Sequence, residues 1–156
     1  MSQIHQTRDT ALTDAERLDL IDWIHANADQ PGTGDLMTHD QLFEVPLFAR
    51  VLSQVQALTE QHWPEFAGKK RQALGVHLRV GNHIRPHNHL ASSTLINALY
   101  YLNDGAALHI EEDANVHTIR PEPGVIVACP GGHTHWVDPQ PPPDDRYSIV
   151  VCWVSR

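Results

Sequence analysis

Two short histidine pairs carry most of the chemistry this sequence can do. The first is His87-Asn88-His89, led in by Arg85-Pro86; the second is His133-Thr134-His135, led in by Pro130-Gly131-Gly132. In an extended strand, residues i and i+2 project from one face. His87 and His89 can therefore reach a common ion with Asn88 turned away. A neutral imidazole is the commonest protein ligand for a first-row metal. Two ligands hold an ion weakly, so a third must come from elsewhere in the fold, and either His135 or His133 can supply it.

The second candidate group is a buried cation. Arg146 and Ser148 stand at i and i+2 on the last apolar stretch, on one face with Val150 and Cys152. An arginine on the inward face of a closed barrel is costly unless paired, and a guanidinium matches a carboxylate with two parallel hydrogen bonds. Arg146 thus reads as the anchor of an acidic ligand, with Ser148 adding a hydrogen bond; the competing partner is Asp144 or Asp145 in the adjoining loop. Tyr100 and Tyr101 lie on opposite faces of one strand, so one of them faces the interior and could bond a carboxylate. Tyr100 is the candidate carried forward, with Asn97 and Thr94 as further polar groups of the pocket. Cys129 reads as inert packing. His77, His109 and His117 read as surface residues or as supports for the ligands.

Composition removes other classes. The chain has 156 residues, a length that suits one domain: a helical part over 1–68 and a β core over 69–156. A net charge of −8 argues against a nucleic-acid or anionic-membrane partner. No apolar run approaches the roughly 20 residues of a membrane helix. Met1–Thr10 is polar and lacks the apolar segment of a secretory signal. Cys129 and Cys152 make no disulfide framework, so a reducing, cytoplasmic setting is expected. There is no glycine-rich phosphate loop, serine nucleophile elbow or Cys-x-x-Cys zinc pattern.

The elements that must position these residues can be read in order. Thr13 to Glu16 has capping-box spacing, and the apolar residues Leu18, Leu20, Ile21, Trp23, Ile24 and Ala28 predict a helix over 13–28. Pro46 opens a second helix over 46–61, striped by Leu47, Val51, Val55 and Leu58. After Lys69-Lys70-Arg71 the texture becomes strand-like: 73–80, 94–102, 106–110, 116–119, 125–129 and 146–154, punctuated by Gly, Pro and acidic residues. The last strand carries Ile149, Val150, Val151 and Val154 without a breaker and is expected at the sheet centre. Loops at 29–45, 111–115 and 138–145 are expected to frame a cavity mouth. Two helices followed by about seven strands without βαβ alternation predict a mainly β (α+β) fold: an antiparallel barrel or two-sheet jelly roll with helices on one face.

On these residues the segment from about 83 to 153 resembles the non-haem Fe(II)/2-oxoglutarate oxygenases, and among them the small members with His-x-His in place of His-x-Asp/Glu. The matching stretches are 86–92, Leu99-Tyr100-Tyr101-Leu102, 123–130, His135-Trp136-Val137-Asp138-Pro139 and Arg146-Tyr147-Ser148-Ile149. The resemblance implies a double-stranded β-helix (jelly roll, cupin-like) with two supporting N-terminal helices. It implies iron held by His87, His89 and His135, with His135 preferred over His133 because it falls four residues before Pro139. It also implies a 2-oxoglutarate whose far carboxylate meets Arg146, and hydroxylation of a small-molecule or peptide substrate. The sequence departs from the usual 2-His-1-carboxylate triad, since His89 stands where the carboxylate would be. Three neutral imidazoles leave the full 2+ charge on the ion. Two other readings therefore stay open: a three-His cupin-like dioxygenase that takes no 2-oxoglutarate, and a non-catalytic jelly roll that binds a metal or small ligand. Asp138 or Glu111 could also supply the missing carboxylate. An open barrel edge could pair with a second copy as a homodimer.

Overall fold

A computed structural model describes residues 2–38, 40–89 and 94–155. Helix α1 spans Asp14–Asn27. Both halves of its capping box form: the Glu16 amide donates to Thr13 Oγ1 (3.1 Å), and the Thr13 amide donates to Glu16 Oε1 (2.9 Å). Two orphan donors of the first turn are thereby satisfied. Leu20 and Ile24, one turn apart, are the buried pair, whereas Leu18, expected in the stripe, is 58% exposed. Ile24 lands on Gly75; a Cβ there would stand 2.6 Å from Ile24 Cγ1, so the missing side chain lets the helix sit close to the sheet. Helix α2, Phe48–His62, starts two residues later than Pro46 suggested and buries Phe48, Val51, Val55 and Leu58. No helix among the described residues is long and apolar enough to cross a membrane.

Eleven strands are present among the described residues: β1 His5–Arg8, β2 Gln30–Pro31, β3 Leu36–Met37, β4 Arg71–Leu78, β5 Ile84–His87, β6 Thr94–Tyr101, β7 Leu108–Glu112, β8 Asn115–Ile119, β9 Val125–Pro130, β10 His135–Val137 and β11 Arg146–Val154. They form a seven-stranded sheet in the order β1-β9-β6-β11-β4-β3-β2 and a four-stranded sheet in the order β5-β10-β7-β8. Every pairing is antiparallel. As expected, β11 is central, flanked by β4 and β6. The segment before residue 69 is not only helical, because it contributes three short strands to the larger sheet. Pro86 is tolerated in β5 because β5 is an edge strand, where a missing amide leaves no ladder bond unmade.

Alternation along the central strands sorts side chains into two cores. Tyr147, Ile149, Val151 and Trp153 of β11, with Ala98 and Tyr100 of β6 and Ile126 and Ala128 of β9, pack against the helices. Leu99 and Tyr101 of β6, Val127 and Cys129 of β9 and Leu78 of β4 pack against Ile84, Leu108, Ile110, Ile119 and Val137 of the smaller sheet. The result is three layers: helices, large sheet, small sheet. Burying Trp153, Tyr100, Phe48 and their neighbours supplies the main driving force, roughly 2 kcal/mol for each large apolar side chain. The second core does not fill the space between the sheets. A cavity of about 290 Å³ remains there, walled by Leu74, Val76, Leu99, Leu108, Val137 and Val150.

Candidate metal and carboxylate site

The register of the small sheet brings the remote histidines together. His135 on β10 is paired directly with His87 on β5. His89 lies two residues beyond the end of β5, and its amide donates to the Gly131 carbonyl (2.8 Å), which ties it to the turn leading into β10. The ring centroids are 4.3 Å apart for His87–His135, 5.0 Å for His89–His135 and 5.2 Å for His87–His89. One nitrogen from each ring lies within 4.8 Å of the others, and this is the set of His, Cys, Asp or Glu side chains among the described residues with such spacing.

Two of the rings are held by backbone carbonyls. His87 Nδ1 contacts the Arg85 carbonyl at 2.7 Å, and His135 Nδ1 contacts the His133 carbonyl at 3.0 Å. A carbonyl only accepts, so each Nδ1 carries the proton and each Nε2 keeps its lone pair. That fixed tautomer is what a metal ligand needs. Burial pulls the His135 pKa down to about 4, reinforced by neighbouring His87 and His89 and opposed by the bond to the His133 carbonyl. Burial, then His87, lowers that of His89 as well. Both are neutral near pH 7, the form that binds a metal.

His133 stays outside the cluster. Its carbonyl orients His135, while its ring turns towards Glu112, with Nε2 3.7 Å from Oε2. Asp138 and Glu111, the alternative carboxylates, are also elsewhere. Asp138 bonds His109 Nε2 at 2.8 Å, and Glu111 is exposed on β7. Of the resemblance stretch 86–92, residues Leu90, Ala91 and Ser92 lie outside the described residues.

Across the cavity, Arg146 is 1% exposed, yet its Nε and Nη1 have no hydrogen-bond partner. Neither acid next to it in sequence pairs with it: both oxygens of Asp145 are taken, by His77 Nε2 (2.7 Å) and the Val80 amide (2.8 Å), and Asp144 is exposed; the Asp35 carboxylate on the cavity wall acts on it through charge. The Tyr101 ring faces the guanidinium, its centroid 5.4 Å from Cζ. Tyr101 Oη and Ser148 Oγ are likewise buried without partners, and burial holds the Tyr101 phenol up at about 12. A buried cation ringed by idle donors is a large cost unless an anion completes it. These groups fit a carboxylate, as the imidazole cluster fits a divalent metal.

Tyr100 is a correction. Alternation puts it on the helical side, where its hydroxyl donates to Asp9 Oδ2 (2.5 Å); Tyr101 is the tyrosine on the cavity side. Asn97 does line the cavity, its Oδ1 accepting from Cys152 Sγ at 3.2 Å. Thr94 begins β6 but does not line the cavity. Of the three loops expected at the mouth, only the 30–37 hairpin reaches the cavity wall among the described residues, through Thr33, Asp35 and Met37. Asp35 is a functional candidate that sequence reasoning missed. Burial raises its pKa, opposed by the charges of Arg146 and His87, and its Oδ1 is without a partner.

No family model matches the sequence, and no curated protein matches it. Solved structures do. A prolyl-4-hydroxylase from Pseudomonas putida superposes with a TM-score of 0.75 at 19% identity, over 99% of this chain and 93% of that one. A prolyl hydroxylase from Trichoplax adhaerens, in complex with a hypoxia inducible factor oxygen degradation domain peptide fragment, gives 0.79 at 14% identity, over 97% and 83%. HygX from Streptomyces hygroscopicus, with nickel and 2-oxoglutarate bound, gives 0.69 at 11% identity, over 98% and 83%. The chain has the double-stranded β-helix fold of these proteins. The expected architecture is therefore correct, including the two helices backing the larger sheet.

Proposed function

We propose that this chain is a non-haem Fe(II)- and 2-oxoglutarate-dependent oxygenase of the hydroxylase type. One juxtaposition carries the reading: three imidazole nitrogens within 4.8 Å of one another share a cavity with a buried guanidinium whose Nε and Nη1 have no hydrogen-bond partner. His87, His89 and His135 would hold the metal. Arg146 and Ser148 would bind the far carboxylate of 2-oxoglutarate, with Tyr101 donating beside them. The apolar walls, Leu74, Val76, Leu99, Leu108, Val137 and Val150, exclude water and so strengthen every polar contact inside. Iron with 2-oxoglutarate, when bound, supplies the activation of dioxygen that yields succinate, carbon dioxide and an oxidised substrate. The chain's own contribution is placement, desolvation and the fixed imidazole tautomers.

The substrate would enter past the 30–37 hairpin. A peptide is one candidate class, since the Trichoplax relative holds a peptide; a small molecule is the other. A cytoplasmic setting, with both cysteines unpaired, belongs to the same proposal. One observation favours a second reading: the metal set is three histidines with no carboxylate among them, as in dioxygenases that bind substrate without 2-oxoglutarate. Succinate formation from 2-oxoglutarate with Fe(II) and oxygen separates the two. The first reading expects succinate from wild type and little from Arg146→Ala; succinate-free, iron-loaded wild type that still oxidises a substrate supports the second.

A further inference from the structure

Arg146 needs something to aim it. No acid is hydrogen-bonded at its Nε or Nη1: Asp145 is engaged with His77 and Val80, and Asp35 acts on it through charge. An arginine stem left loose would lose its rotamer freedom when it captures a ligand. The turn at 103–106, between β6 and β7, is built around this stem. A Cβ on Gly105 would stand 2.5, 2.7 and 2.9 Å from Arg146 Cγ, Cδ and Cβ, so glycine backbone forms one wall of the channel in which the side chain lies. The Asn103 amide straddles Arg146: Nδ2 donates to the Asp145 carbonyl, and Oδ1 accepts from the Tyr147 amide, both at 2.8 Å. Gln140, in the 138–145 loop, is 4% exposed. Its Oε1 accepts from the Ala106 amide and its Nε2 donates to the Asp144 carbonyl, both at 2.8 Å. The turn is thus stitched to the start of β11 on both sides of Gly105.

We infer that Gly105, with Asn103 and Gln140, is the positioning device that presents the Arg146 guanidinium to the far carboxylate of the co-substrate. This rests on the proposed 2-oxoglutarate reading and adds the residues that make the anchor rigid. They act through Arg146 and need not touch the ligand.

The test compares two 2-oxo acids that chelate a metal alike but differ at the far end. 2-Oxoglutarate carries a second carboxylate; pyruvate does not. Binding of each to Mn(II)-loaded protein under nitrogen is measured by calorimetry for wild type, Gly105→Ala and Asn103→Ala, alongside Mn(II) affinity. Wild type prefers 2-oxoglutarate. Gly105→Ala weakens 2-oxoglutarate by about tenfold or more, the scale of one charged hydrogen bond, while pyruvate and Mn(II) binding stay within about twofold. Asn103→Ala shifts in the same direction by less, and decides the matter if Gly105→Ala does not fold. General damage to the site would weaken both acids together. Full 2-oxoglutarate preference in folded Gly105→Ala, or in Asn103→Ala where that variant decides, overturns the inference and leaves the proposed function standing. A wild type without preference removes the proposed function, and the inference with it.

Discussion

The two faces of the central strands make opposite use of their polar groups. On the helical face, the Tyr147 hydroxyl meets His25 Nδ1 at 2.6 Å and the Tyr100 hydroxyl meets Asp9. On the other face of the same strands, one residue away, Arg146, Ser148 and Tyr101 are equally buried and hold unpartnered atoms. Asn97 takes only a thiol, a weak donor. Folding alone explains the first face, because paired groups and dense packing stabilise it. It does not explain the second, where each idle group costs free energy. The contrast marks which face is built for the chain and which for a ligand.

Substitutions can break that contrast, and the largest effect belongs to the helical face. Trp153→Ala, which empties a site 1% exposed, should cost about 3–5 kcal/mol in urea denaturation. Arg146→Met is the matching change on the cavity face. It should leave stability unchanged or raise it by about 1–3 kcal/mol, because it removes a buried charge whose Nε and Nη1 no group satisfies, while 2-oxoglutarate binding is lost. A destabilised Arg146→Met would mean that the guanidinium has a structural partner after all.

A pH effect of similar size comes from the metal cluster in the metal-free protein. His135 is 8% exposed, and its pKa is held at about 4, against about 6.5 in an unfolded chain. Between these values the unfolded state takes up a proton that the folded state refuses. Stability is therefore full above about 6.5 and declines as pH falls towards 4, by about 3 kcal/mol from this residue. Denaturation of the metal-free protein at stepped pH should show that decline, and His135→Phe should flatten it. A wild-type curve level from pH 7 to 4 would contradict the burial of this ring.

The tyrosine pair sharpens the comparison at the small end. Tyr100→Phe strands Asp9 and should cost about 1–2 kcal/mol with ligand binding intact. Tyr101→Phe removes a hydroxyl that has no partner, so stability should hold while 2-oxoglutarate affinity drops a few-fold. The reverse pattern would exchange the roles of the two faces.

Much of the site was legible because it depends on period-two patterning. His87-x-His89 and Arg146-x-Ser148 declare shared faces, and β11 declares its central place by an unbroken apolar run. The capping box of α1 is a local device, readable at three-residue spacing. What stayed hidden depends on partners distant in the chain. Alternation says that Tyr100 and Tyr101 oppose each other, not which meets the cavity; that is settled by register against β9 and β11. Three of the four residues of β1 are exposed, and the strand lacks any apolar signal. Asp35 sits on a hairpin of two-residue strands, too short for a pattern. Gln140 lies in a proline-rich loop with no periodic pattern, and only the tertiary fold buries it. His133 and His135 have the same local spacing; the strand pairing of His135 with His87 separates them.

The most direct measurement is a crystal structure grown without oxygen in the presence of Mn(II) and 2-oxoglutarate. One ion held by His87, His89 and His135 is expected, with the far carboxylate of 2-oxoglutarate paired to Arg146 and Ser148. Metal bound instead between His133 and Glu112, or 2-oxoglutarate lying away from Arg146, would contradict it.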